Sequence, residues 1–280
     1  MLPTNFLGII CALASALFWG SGDFSGGVAT RRSDQFQVLA LSAVSGLALL
    51  VGCAILWREP WPSSRNLLWA SMAGLSGSIG LAALYRALAL GHAATVAPVA
   101  AVVSAALSVV FSAITEGLPG TIRLAGFTLA LLGIWMVSSS SISAEAPRQG
   151  LRLALLAGFC FAGFFILVAQ VEAEAVFFPL VMARCVMVSL AVLLLLLRGP
   201  TRLSFHINPL ALLAGILDAS GNVFYLLAQQ FTRLDVAVVI GSLYPVTTVV
   251  LSWVVLEEKI SRMQWLGAMV CFVAIALIAL

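Results

Sequence analysis

Ten long apolar segments fill this 280-residue chain, with only short connections between them. A bilayer core about 30 Å thick needs about 20 mostly apolar residues per helical crossing. The pattern predicts spans near 6–27, 36–57, 66–90, 93–115, 121–138, 151–171, 176–197, 209–230, 236–256 and 263–280. Only 9% of residues are charged and 62% are hydrophobic, against roughly 25% charged in ordinary globular domains. A soluble fold of that make-up could not cover its surface. The expectation is an all-α integral membrane protein with ten transmembrane helices.

Met1 to Phe6 carries no basic side chain, so a cleaved secretory signal is not expected and the first segment should remain as a helix. The basic residues are scattered singly or in pairs, which argues against nucleic acid and against a polybasic lipid patch. Cys11, Cys53, Cys160, Cys185 and Cys271 all fall inside apolar segments and none form C-x-x-C, so they read as buried small hydrophobes.

The most polar internal stretch, 138–150, divides five spans from five. The chain accordingly reads as one five-helix unit at 1–138, a linker at 139–150 and a second unit at 151–280. At an offset of 141 residues, Gly74 meets Gly215, Gly80 meets Gly221, Glu116 meets Glu257 and Gly126 meets Gly267. Because five is odd, two such units must face opposite ways. Inverted repeats are common in secondary transporters, whose sites lie near the midplane. With Arg86 and Arg184 set aside, one side collects Arg31, Arg32, Arg148, Arg152, Arg198, Arg202, Lys259 and Arg262. The side holding both termini collects Arg58, Arg65, Arg123 and Arg233. The positive-inside rule then puts the termini outside.

Asp218, Asn222, Tyr225 and Gln229 fall on one helical face of the eighth span. An acid at helix centre costs about 2.5–3.5 kcal/mol on insertion scales, so it should face a polar cavity or a partner. The stripe reads as a substrate or proton site, or else as a polar clamp between helices. Trp19 and Asp23 lie four residues apart among small residues. Asp23 could hold a cation or relay a proton, or neutralise Arg31 or Arg32 near the surface. Asp23 and Asp218 are therefore the proton-coupling candidates. Arg86 and Arg184 could each meet a substrate carboxylate or pair with an acid; snorkelling or pairing is favoured for Arg86, a structural pair for Arg184. Ser104, Ser108 and Ser112 read mainly as small packing residues. Glu116, Glu257 and Glu258 read as hairpin charges. His92 and His206 sit at loop or span ends, and neither a metal-ligand cluster nor a phosphate-binding loop appears in the sequence, so no metal, cofactor or enzyme activity is expected.

Ser242 to Leu251 followed by Leu256 to Gly267 resembles the closing signature of the EamA-like drug/metabolite transporter family. Phe18-Trp19-Gly20 is similar to the family's opening, and Glu116 to Gly126 to its mid-chain copy. The resemblance implies a bundle of two inverted EamA units whose cavity is lined by helices 1, 3, 4, 6, 8 and 9. Trp19, Tyr85, Phe161, Asp218, Asn222, Tyr225 and Tyr244 would then be cavity residues. It also implies cytoplasmic termini, against the charge count. Ser104 stands where the family's first-repeat proline often falls, so a bend there is not expected.

The functional expectation is a transporter, secondary-active or facilitative, exporting small polar metabolites such as amino acids or amines across the plasma membrane. Its partners would be the substrate, the lipid bilayer and, as a co-substrate candidate, protons. The alternatives are a permease for a sugar, nucleotide precursor or carboxylate, and a membrane scaffold or lipid-handling protein. Oligomeric state is not legible.

Overall fold

The computed structural model describes residues 4–89, 93–139, 148–172, 175–197, 208–257 and 259–279. Among them the chain forms eleven α-helices and no strand. These are α1 (Thr4–Thr30), α2 (Gln35–Trp57), α3 (Ser64–Ala89), α4 (Ala93–Thr115), α5 (Thr121–Ser139) and α6 (Arg148–Val168), then α7 (Phe177–Leu197), α8 (Pro209–Phe231), α9 (Leu234–Gly241), α10 (Tyr244–Leu256) and α11 (Arg262–Ala279). Most of the expected linker lies outside the described residues, as do His92, His206, Arg198, Arg202 and Glu258.

Among the described residues, eight stretches are long and apolar enough to cross a bilayer, and Val99–Thr115, within α4, and Thr121–Val137, within α5, are shorter apolar stretches. The expected count of ten full-length spans is thus met by eight and two shorter ones. Many large apolar side chains are exposed, among them Leu17, Ile55, Ile114, Leu193 and Phe272. Contiguous apolar surface on this scale suits lipid and not water. Of the cysteines, Cys11 and Cys271 are buried, whereas Cys185 is exposed, contrary to the uniform expectation.

The expected ninth span is two helices. Pro245 lacks a backbone N–H, and its ring clashes with the carbonyl four residues earlier. The chain turns at Ser242 and Leu243, where tight bonds run from Leu243 N to Ile240 O (3.1 Å) and from Val246 N to Leu243 O (2.9 Å). Ser104, which stands 141 residues before Pro245, sits inside the unbroken α4, as expected.

The two halves pack by the same contacts in exchanged roles. The pairing of α1 with α8 mirrors that of α3 with α6, α2 with α8 mirrors α3 with α7, and α5 packs on its counterpart α11. The aligned glycines show it in detail. A methyl group on Gly74 would come within 2.5 Å of the Ala183 backbone, and one on Gly215 would strike the Ser42 carbonyl. Gly126 faces Ile278 and Ala274, while Gly267 faces Val137 and Gly133. Each contact is its partner's image at the 141-residue offset. Residues ascending α5 meet residues descending α11, so these equivalent helices run antiparallel.

Polar ties fasten the ends. The Glu59 carboxylate accepts amides at the start of α7, from Val176, Phe177 (2.9 Å) and Phe178 (2.6 Å). It thereby satisfies N–H groups that have no partner within the helix. Asn66 Nδ2 donates to Glu172 (2.9 Å). Gly117 ends α4 at φ +85°, a conformation that suits glycine. Its carbonyl accepts from Arg233 (2.7 Å). Hydrogen bonds to Asp235 raise the Arg233 pKa further above its ordinary value, so this tie stays charged.

Candidate functional site

Two helix crossings frame a cavity. Where α1 meets α8, Gly22 lies against the Asp218 backbone, and the Trp19 indole lies over Gly221, where a methyl group would collide with it. Where α3 meets α6, Phe164 covers Gly77 and Phe161 covers Gly80. Ser76 Oγ donates to the Cys160 carbonyl (2.8 Å) at that second crossing. Between the crossings lies a cavity of about 90 Å³. Its polar wall is Asp23, Asn222, Asp218, Arg184 and Ser78, and its apolar wall includes Trp19, Phe161, Phe164, Phe165 and Tyr244.

The polar groups form a chain. Arg184 donates to Asp218 as a close ion pair, and its other terminal nitrogen faces the Met187 sulfur at 3.1 Å. Gly46 leaves room for the guanidinium. Asn222 Nδ2 donates to the same Asp218 oxygen (3.3 Å), and Trp19 Nε1 donates to Asn222 Oδ1 (3.2 Å). The Arg184 side chain is 5% exposed and that of Asp218 24%, so this charge pair is held largely out of solvent. Asp23 differs. Among the described residues no donor and no cation reaches its carboxylate, which opens on the cavity.

The rings of Trp19 and Phe165, in the wall, and of Tyr225, behind it, cluster with centroids 4.9–5.5 Å apart. Such spacing favours tilted aromatic pairs. Gln229 Nε2 donates to the Tyr225 hydroxyl (2.9 Å).

Of the residues expected at the cavity, Trp19, Asp23, Phe161, Asp218, Asn222 and Tyr244 line it. Four do not. Tyr225 is fully buried behind Trp19, and Gln229 lies one turn further along α8. Tyr85 is buried with its hydroxyl against Gly26. Arg86 is exposed, in keeping with the snorkelling alternative. Arg184 makes the expected pair and lines the cavity as well. Phe164 and Phe165 were missed. Extending the repeat to the first span of each half would have found them, because Trp19, Gly22 and Asp23 precede Phe161, Phe164 and Phe165 by 142 residues.

The EamA-like transporter family model matches the chain twice, at residues 6–139 and 148–280. No curated protein matches it in sequence. A solved structure titled only "Crystal structure of protein" superposes with a TM-score of 0.77 over 98% of both chains at 19% identity, a likeness of fold alone.

Proposed function

The chain belongs to the EamA-like transporter family, and from that premise we propose that this multi-pass membrane protein moves small polar metabolites, amino acids or amines, out across the plasma membrane. Transport runs by alternating access about the central cavity, secondary-active or facilitative. The repeats at 1–138 and 151–280 are inserted in opposite senses. The observation that carries this reading is the cavity between the two crossings, where charged, amide and aromatic groups converge. A few convergent polar groups in a largely apolar pocket are the usual make-up of a small-molecule site. The antiparallel packing of α5 and α11 supports the inversion.

A lipid-handling protein would need a chamber lined by apolar groups alone, and Asp23, Arg184 and Asp218 argue against it. A carboxylate permease would need a free cation in the wall, whereas Arg184 is already engaged by Asp218. Purified protein in liposomes should catalyse flux of at least one member of a panel of radiolabelled amino acids and amines. No flux for the whole panel overturns the proposal.

A further inference from the structure

Three charged side chains line the cavity, and they are not equivalent. Arg184 and Asp218 neutralise one another at contact distance. Asn222 completes Asp218 from the other side, and Trp19 holds Asn222. Asp23 alone has no partner among the described residues. The wall therefore carries one engaged cation, one engaged carboxylate and one open carboxylate.

The rest of the lining fixes what such a carboxylate can receive. Trp19, Phe161, Phe164, Phe165 and Tyr244 bring ring faces or edges to the same space, and aromatic faces attract organic cations. An inorganic cation would need several oxygen ligands in place of its hydration shell, and one free carboxylate among rings does not supply them. We infer, resting on the transport reading above, that this cavity selects small organic monocations. They are amines without a carboxylate, seated on Asp23, while Asp218 serves as the fixed counter-charge that withholds Arg184 from substrate.

The discrimination follows from charge balance. A monocation leaves the cavity with every charge matched. A zwitterion of the same skeleton brings a carboxylate whose one available cation is Arg184. Reaching it means displacing Asp218, and a largely buried carboxylate then loses its partner. A simple anion suffers the same penalty and also faces the open charge of Asp23. Asp218 is a positioning residue in this account, and Asp23 is the binding group.

A matched set tests this: n-pentylamine, norleucine and hexanoate share one skeleton and differ only in their charged groups. Ligands that bind the folded state raise its melting temperature, so the set is compared by thermal shift on the purified full chain in detergent. Pentylamine should protect the wild type at concentrations roughly tenfold or more below those needed for norleucine, the scale of a charge-assisted hydrogen bond. Hexanoate should not protect. Asp23→Asn should remove protection by pentylamine while its size-exclusion profile stays that of wild type. Asp218→Asn leaves Asp23 and Arg184 as an open pair of opposite charges, and should move the preference to norleucine. Should that variant not fold, the wild-type ranking and Asp23→Asn decide alone.

Norleucine protecting wild type as well as or better than pentylamine overturns the inference. So does protection by pentylamine that survives Asp23→Asn. Either result leaves transport of polar metabolites standing, because that reading falls only when the liposome panel shows no flux.

Discussion

The crossing of α1 with α8 and the crossing of α3 with α6 are built on one plan and carry different chemistry. In each, an aromatic residue of a first helix covers a glycine on the other half's third helix: Trp19 over Gly221, Phe161 over Gly80. Beyond that the two diverge. The α1–α8 crossing carries Asp23, Asp218 and Asn222, while the equivalent positions, Phe165, Gly77 and Leu81, are apolar. Repetition thus accounts for the backbone geometry, and its breakdown accounts for the charge. In a low-dielectric interior every added charge must be matched, so concentrating them on one crossing leaves the other free to supply ring surface.

The ion pair that joins the polar crossing to α7 should give the largest single effect. Arg184→Met leaves Asp218 without its cation and should cost about 3–5 kcal/mol, the usual penalty for breaking a buried pair. Adding Asp218→Leu should recover much of the loss. Thermal melts of the two variants in detergent check both statements, and an undisturbed Arg184→Met would mean that the charges at this crossing are not structurally coupled. The shared scaffold is tested next. Gly74→Leu and Gly215→Leu push side chains into equivalent backbones and should destabilise by similar amounts, about 1–3 kcal/mol or more. A large difference between their melting temperatures would show that the two halves do not bear load alike. The smallest effect belongs to the indole hydrogen bond. Trp19→Phe keeps a ring over Gly221 and gives up the bond to Asn222, so about 1 kcal/mol is expected. Phe161, its counterpart, has no such bond to lose.

Helix positions were legible because about 20 apolar residues in a row leave few alternatives. The repeat was legible from glycines, since Gly74 and Gly215 are small for the same steric reason. The break between α9 and α10 was only half legible. Pro245 was visible, but a proline within a span is often accommodated by its neighbours. Site residues divided by depth along the helix. Asp218 and Asn222 reach the cavity, whereas Tyr225 and Gln229, further along the same stripe, have drifted behind Trp19. A polar stripe names the face of a helix and does not say where along that face the chamber stops. Phe164 and Phe165 went unnoticed because nothing local separates a cavity phenylalanine from a lipid-facing one.

The exchanged helix pairing carries a mechanical corollary. α1, α2, α8, α9 and α10 form one cluster and α3, α4, α6 and α7 another, each drawing on both halves of the sequence, and the contact of α2 with α7, as extensive as that of α2 with α8, ties the two together. If the protein alternates between faces, the parting line runs between these mixed clusters and not between the first and second halves of the chain. Asp218 belongs to one cluster and Arg184 to the other, which makes their bond a clasp across that line. A disulfide tethering α1 to α8 would then ride along silently, while one welding α8 to α7 would freeze the machine.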